Sequence, residues 1–249
     1  MADKLTTKTY WETYYKQDHA KKKHIETVCS YYDTIWKQYV QKKATKQGLI
    51  EIGGFPGRYL AYLSSKYQLE PTSLDYNSNS QQIKEAFKAM DVSTFHIIQE
   101  DFTQYQPEKT YEYVMSNGFI EHFENYDGIL DLHVKYMNEN GRLLVMIPNM
   151  RGYIRFYKYL VDYKNLKVHN LKCMELKVFK EFAKRHHLSI LHLGYFGGFP
   201  FSVHQKHHFL QRQIYRVHRL FFKFIANPWV ERHPNKYLSS AIIAIFEKQ

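Results

Sequence analysis

The chain has 249 residues, 44% hydrophobic and 24% charged, which is enough to bury a core in one large domain and excludes both disorder and a disulfide-stapled miniprotein. Its 35 Lys+Arg against 24 Asp+Glu give a net charge of +11, unevenly spread: residues 1–47 carry 10 basic and 5 acidic side chains, 48–150 carry 7 and 14, and 151–249 carry 18 and 5. An acidic middle between two basic flanks excludes a uniformly basic nucleic-acid coat.

Residues 8–46 predict two helices, because Ile25, Val28, Tyr32, Ile35 and Tyr39 recur at three- and four-residue steps without Pro or Gly. From Gly48 the period changes. Short apolar runs alternate with helical segments: GLIEIG and a helix near 57–66, PTSLDY and 79–90, TFHIIQ and a loop, YEYVMS and 126–138, then GRLLVMIP. Five strands separated by crossover-length segments predict a parallel sheet with helices on both faces, an α/β doubly wound core. After Pro148 come an insertion (151–172), a helix near 174–187, the strand LSILHLGYF, a long excursion (197–237) and a last strand SSAIIAIFEK. The opening MADKLTTKTYWETYY has no apolar run suited to a signal peptide, and no stretch of about 18 apolar residues exists. Cytoplasmic residence is therefore expected. Cys29 and Cys173 have no second thiol near them in sequence, so a zinc knuckle and a redox pair are excluded and inert buried thiols are expected.

Ligands of such sheets bind at the carboxyl ends of the strands. The first strand ends in Glu51-Ile52-Gly53-Gly54-Phe55-Pro56-Gly57, an acid followed by a glycine turn and a helix start, where backbone N–H groups can approach a ligand. The dinucleotide fingerprint G-x-G-x-x-G is absent. Asp75 closes the second strand about 20 residues beyond the glycine loop, where one carboxylate can grip a ribose diol. Asp101, with Phe102 beside it, follows the third strand and suits the amino edge and ring face of an adenine.

With these residues the chain resembles the class I S-adenosylmethionine-dependent methyltransferases, well over about residues 48–150 and loosely over the last two strands. Of that family's acidic-x-G-x-G-x-G motif, Glu51, Gly53 and Gly57 match and Phe55 replaces the middle glycine, as in small-molecule and saccharide-modifying members. The resemblance implies a seven-stranded Rossmann-like sheet with its last strand antiparallel and helical lid insertions. It implies S-adenosyl-L-methionine as cofactor and S-adenosyl-L-homocysteine as product. The cofactor would be held by Glu51, Gly53, Gly54, Phe55, Gly57, Asp75, Tyr76, Asp101, Phe102, Ser116, Asn117 and Gly118. The segment YEYVMSNGFIEHFEN resembles the family's strand and loop ending in an E-H pair, which puts Glu121 and His122 near the transferred methyl. His122 is the candidate general base, since imidazole titrates near working pH. GRLLVMIPN is the family's fifth strand, with Gly141 as its preceding turn glycine.

The domain reading is an N-terminal helical lid (1–47) and a methyltransferase domain (48–249) with substrate-side insertions near 150–173 and 195–237. Arg151, Tyr153, His169 and Asn170, following the fifth strand, are the candidate acceptor-facing side chains. In 209–225, Leu210, Ile214, Val217, Phe221 and Phe224 fall on one helical face and Arg212, Arg216, Arg219 and Lys223 on the opposite one. A shorter version has Arg151, Arg155 and Lys158 against Ile154, Tyr157 and Val161. Either the apolar faces pack on the core, or these segments form a lid whose basic side meets an anionic partner or a membrane surface. Gly197-Gly198-Phe199-Pro200-Phe201 would then be a flexible aromatic lip. Asn227-Pro228-Trp229 lies too late in the chain for an amide-holding catalytic tetrad and reads as a loop turn. His204, His207 and His208 have no accompanying carboxylate in sequence and read as a solvated basic face, and no metal is expected.

Methyl transfer to a hydroxyl, ahead of an amine or thiol, of a small-molecule or saccharide acceptor is the leading expectation, with an anionic acceptor suggested by the basic flanks. The alternatives are a nucleic-acid methyltransferase and a non-catalytic cofactor-binding or membrane-surface scaffold.

Overall fold

The computed structural model describes residues 4–14, 21–77 and 79–249. Seven strands form one sheet: β1 (Gly48–Ile52), β2 (Glu70–Leu74), β3 (His96–Ile98), β4 (Tyr111–Asn117), β5 (Met137–Pro148), β6 (Ser189–Phe196) and β7 (Ala241–Glu247). Their order is β3-β2-β1-β4-β5-β7-β6. β1 to β5 pair in parallel, and β7 runs antiparallel between β5 and β6. This is the doubly wound sheet with a reversed last strand that the resemblance implies. Strand order reverses between β1 and β4, which opens a crevice beyond their carboxyl ends.

The period-two alternation of the strands decides which helices cover each face. Leu143, Val145 and Ile147 of β5, with Ile242, Ala244 and Phe246 of β7, pack with Phe179 and Phe182 of α8 (Leu176–Arg185) and Ile129 and Leu130 of α5 (Tyr126–Leu132). Leu144 and Met146, with Ile243 and Ile245, pack on the other face with α2 (Lys22–Trp36), α3 (Arg58–Tyr67) and α4 (Ser80–Ala89). Both cysteines are free and buried, and burial pushes their thiols upward in pKa.

The N-terminal segment divides into two roles. Ile25, Cys29 and Trp36 bury α2 in the layer beneath the sheet, so α2 is part of the sandwich; α1 (Lys8–Tyr14) borders the crevice instead. Residues 15–20, which the two-helix expectation also spanned, lie outside the described residues.

Two element boundaries move. The helix expected over 126–138 ends at Leu132 and passes through a 3-10 turn, His133–Tyr136, into a strand that already starts at Met137. Gly141 therefore lies inside β5, in an irregularity where pairing jumps from Tyr111↔Met137 to Tyr113↔Arg142. A Cβ there would stand 2.7 Å from the Asn138 carbonyl, which is why the bulge takes a glycine.

The insertions build a third, small core. α6 (Gly152–Val161), followed by the single turn α7 (Tyr163–Leu166), buries Ile154, Tyr157 and Val161 against Phe199 and Phe222, the last two stacked at 3.9 Å. The expected aromatic lip is thus a plug, with Phe199 only 2% exposed. α9 (Phe209–Phe221) continues through a π-turn, Phe222–Ala226, into α10 (Asn227–Arg232). Asn227-Pro228-Trp229 opens this last helix rather than forming a loop turn, since Pro suits a first helical turn whose N–H groups lack partners anyway.

Candidate active site

Two adjoining cavities lie beyond the carboxyl ends of β1, β2 and β4. The smaller, of about 50 Å³, is lined by Gly53, Asp75, Tyr76, Asp101, Phe102 and Phe119 among others. The larger, of about 400 Å³, runs from Glu51 and the glycine loop to Glu121, Lys158, Asn165, His169 and His204. Trp11, Gly53, Phe55, Asn117, Gly118 and His122 line both, so they are two ends of one trench.

The trench floor is built by the first loop. Gly53 has φ +67 and a Cβ there would stand 2.4 Å from the Phe119 ring; at Gly54 it would meet Ser73 Oγ at 2.8 Å. Only glycine allows this backbone to lie so close to β2 and the β4 loop. Gly57, also left-handed, caps α3. Glu51 is 2% exposed and anchors the loop: Oε2 accepts the Leu60 N–H (3.2 Å), one of the unpaired donors of the first turn of α3, and Oε1 accepts from Asn117 Nδ2 (3.1 Å). Burial still pushes its carboxyl up to about 8.

At the small end, Asp75 Oδ2 accepts the Phe55 N–H (3.2 Å) and Oδ1 the Asn77 N–H (2.7 Å), which leaves lone pairs facing the cavity. Asp101 accepts from Lys4 Nζ and from Thr103. Partial burial pulls its pKa upward, but these donors outweigh it and hold the carboxyl below its ordinary value. Lys4 also stands 4.8 Å over the Tyr76 ring, and Leu5 N–H donates to the His122 carbonyl (2.8 Å). Residues 4–7 are a strap beside this end, which the sequence reading did not foresee. An acid at ribose depth, the apolar faces of Tyr76, Phe102 and Phe119, and a loop of close-packed glycines fit an adenosyl group: diol hydroxyls donate, and carboxylates accept.

At the large end, Glu121 and His122 leave β4 on a 3-10 turn, Ile120–His122. Glu121 is fully buried, and neither of its carboxyl oxygens has a hydrogen-bond partner among the described residues. Burial pushes this carboxyl up to about 8. Its backbone carbonyl accepts the Asn170 N–H (2.7 Å). His122 uses Nδ1–H to donate to the Val168 carbonyl (2.9 Å), which leaves Nε2 as a bare acceptor 3.8 Å from Glu121 Oε1. Burial first, then the neighbouring His169, pushes His122 down to about 3, so it is neutral at pH 7. Trp11 meets it edge to face at 4.8 Å, and the His169 ring lies at 4.5 Å. One ligand atom each of Glu121, His122 and His169 fall within 4.8 Å of one another, wider than the roughly 3.4 Å between ligands of a tetrahedral ion.

Four expected residues lie elsewhere. Ser116 is on the other side of β4, bonded to His133 Nε2 (3.0 Å), because strand side chains alternate and its neighbour Asn117 takes the trench side. Arg151 pairs with Glu175 at an outer groove. Tyr153 hydrogen-bonds His218 of α9 (2.6 Å), inside the lid. Asn170 bonds the Phe123 and Glu124 carbonyls, so it clamps the insertion to the Glu121 loop. His169 does line the large cavity.

Lys158, Asn165, Tyr10 and Trp11 line it unforeseen. Lys158 is 2% exposed rather than on a solvated basic face. It follows Ile154 by four residues and therefore shares its apolar side of α6. Its Nζ donates to Asp162 Oδ2 (2.8 Å) and to the Ser202 carbonyl (2.6 Å). Asp162 also holds His204 (3.1 Å), so the His204 region does have a carboxylate, supplied by the residue that follows α6. Arg212, Arg216, Arg219 and Lys223 line an external groove, so these four of the cations behind the anionic-acceptor expectation stand outside the trench, while Lys158 lines it already paired with Asp162.

The chain matches the family model described as "Methyltransferase domain" over residues 22–212. It is 29% identical over 111 residues to pavine N-methyltransferase of Thalictrum flavum subsp. glaucum, a match covering 43% of this chain and 31% of that one. The matched stretch is thus about a third of that relative's length. In fold it is similar to a coclaurine N-methyltransferase bound to N-methylheliamine and SAH (TM-score 0.58, 13% identity, 94% of this chain and 76% of that one). It is also similar to a SAM-dependent methyltransferase from Archaeoglobus fulgidus (TM-score 0.59, 15% identity, 96% and 100%). A class I sheet, a glycine-loop trench with an acid at the tip of β2, and a family match over most of its length agree: this chain belongs to the methyltransferase-domain family of S-adenosylmethionine-dependent enzymes.

Proposed function

We propose that the protein transfers a methyl group from S-adenosylmethionine to the amine nitrogen of a small molecule held in the large end of the trench. The observation that carries this reading is Glu121, a carboxyl buried at the chamber wall with no hydrogen-bond partner for either oxygen among the described residues. A carboxyl buried in this way stays protonated until a counter-charge arrives to pair with its carboxylate. An ammonium acceptor supplies one and a hydroxyl does not, so the amine moves ahead of the hydroxyl that the sequence favoured. The N-methyltransferases among the similar proteins support the same order.

In this reading Asp75 receives the ribose hydroxyls, Phe102 and Tyr76 flank the adenine, and Asp101 meets its amino edge once Lys4 yields. Gly53, Gly54, Phe55 and Gly57 shape the floor, Glu51 holds that loop in place, and Asn117 and Gly118 close the opposite wall. The bound sulfonium supplies an activated electrophilic methyl, which leaves alignment and proton handling to the protein. Arrival of a cationic amine lowers the Glu121 pKa, so that the carboxyl releases its proton to solvent and pairs with the ammonium as a carboxylate. Glu121 then takes the ammonium proton, freeing the nitrogen lone pair. His122, neutral and with Nε2 bare, accepts a hydrogen bond that fixes the nitrogen's orientation. Trp11 and Tyr10 exclude water from this end, and the insertions 150–173 and 195–237 close the acceptor side.

The test is a panel of matched amines and alcohols of one carbon skeleton, incubated with methyl-labelled S-adenosylmethionine. Label is expected in the amines. Label confined to alcohols would overturn the amine reading, and failure of calorimetry to detect S-adenosylhomocysteine binding would overturn the cofactor assignments.

A further inference from the structure

We propose that α9 and the turn that follows it dock the protein on an anionic lipid bilayer. At about 100° per residue, this helix presents three faces rather than the two expected from sequence. Ile214, Tyr215 and Phe222 turn to the lid core. Phe209, Leu210, Val217, Leu220, Phe221 and Phe224 turn outward, with Phe209 77%, Leu210 70%, Val217 64% and Phe224 67% exposed. Arg212, Arg216, Arg219 and Lys223 form the third face. No residue of α9 itself is buried. So, Ile214 apart, the apolar face for which the sequence left core packing and a lid open as alternatives is left in water, where such a patch marks an interaction surface.

Charge selects the occupant. The four cations line an open groove of about 520 Å³ whose other walls include Leu220 and Phe224. Among the described residues no acidic side chain pairs with any of the four. Between Glu181 and Glu231 the sequence has no acidic residue and seven Lys or Arg. A cationic groove beside exposed aliphatic and Phe side chains matches a phospholipid surface, anionic headgroups on the groove and acyl chains against the apolar face. A second copy would bring the same cations against these. A nucleic acid would leave the aliphatic side chains in water. No helix among the described residues is long and apolar enough to cross a membrane, so the mode of attachment is docking in the interface.

The experiment is co-sedimentation of the full chain with phosphatidylcholine vesicles and with vesicles that also contain phosphatidylglycerol. Binding is expected only to the anionic vesicles and should weaken with salt. Arg216→Glu with Arg219→Glu, a change of four charge units, should weaken it on the order of a thousandfold, and Leu210→Glu with Val217→Glu should abolish it. These side chains are exposed, so unchanged melting and unchanged S-adenosylhomocysteine binding will certify the folded variants. Absence of binding to anionic vesicles at low salt overturns the proposal. Equal binding to both vesicle types does too. So does concentration-dependent dimerisation or RNA retention that uses this face without lipid binding. None of these outcomes touches the amine reading, which rests on the trench.

Discussion

Glu121→Gln separates the stability role of this side chain from its chemistry. The substitution keeps shape and removes charge. Burial pushes the Glu121 carboxyl from 4.5 up to about 8, so the folded state binds its proton more tightly than the unfolded chain does. A carboxyl raised in this way favours the fold below pH 4.5, and that stability is lost as pH rises toward 8. At about 1.36 kcal/mol per pKa unit, the 2.5 units between 4.5 and pH 7 amount to roughly 3 kcal/mol. Glutamine titrates nowhere, so Glu121→Gln should be more stable than the parent by about 3 kcal/mol at pH 7, which is on the order of 6–12 °C in melting temperature for a chain this size. The gain should vanish near pH 4.5 and level off above pH 8. Turnover should move the other way, with kcat/KM for an amine lower by about 10²–10⁴. Thermal unfolding across pH 4.5–8.5 and steady-state rates at pH 8 are the assays. A variant no more stable than the parent at pH 8 would refute the unpartnered buried carboxyl, and unimpaired turnover would remove Glu121 from proton transfer.

His133, held between the Ile129 carbonyl and Ser116, is pushed down to about 4 by burial. Its depressed pKa contributes stability that is lost as pH falls from 6.5 toward 4. In His133→Gln, the stability difference between pH 7 and pH 4.5, read by urea unfolding, should shrink by about 2–3 kcal/mol; an unchanged difference would show that this imidazole protonates in the folded state. Lys158→Met leaves Asp162 buried without its main counter-charge and should destabilise by about 3–5 kcal/mol, and Lys158→Met with Asp162→Asn should recover at least half of that. Simple additivity of the two in denaturant unfolding would show that the pair is not coupled.

The sheet and the cofactor end were legible in sequence because both are local. Alternation in GRLLVMIP and AIIAIF assigns residues to the two faces of the sheet, and Glu51-x-Gly53, Asp75 and Asp101 each stand at a strand end whatever the rest of the chain does. The acceptor end is not local. Trp11 reaches it from α1, Lys158 and His169 from one insertion and His204 from another, so no spacing links them. Proximity also hid which residues touch: Ser116 and Asn117 are neighbours, yet strand alternation sends one to His133 and the other to Glu51. The 209–225 segment marks the limit most clearly. Its sequence specifies an amphipathic helix, but a helix has no preference for which side meets a neighbour. Only packing on α6 and Phe199 decided that Ile214 and Phe222 face the core, leaving Leu210, Val217 and Phe224 in solvent beside four cations that no acidic side chain among the described residues pairs.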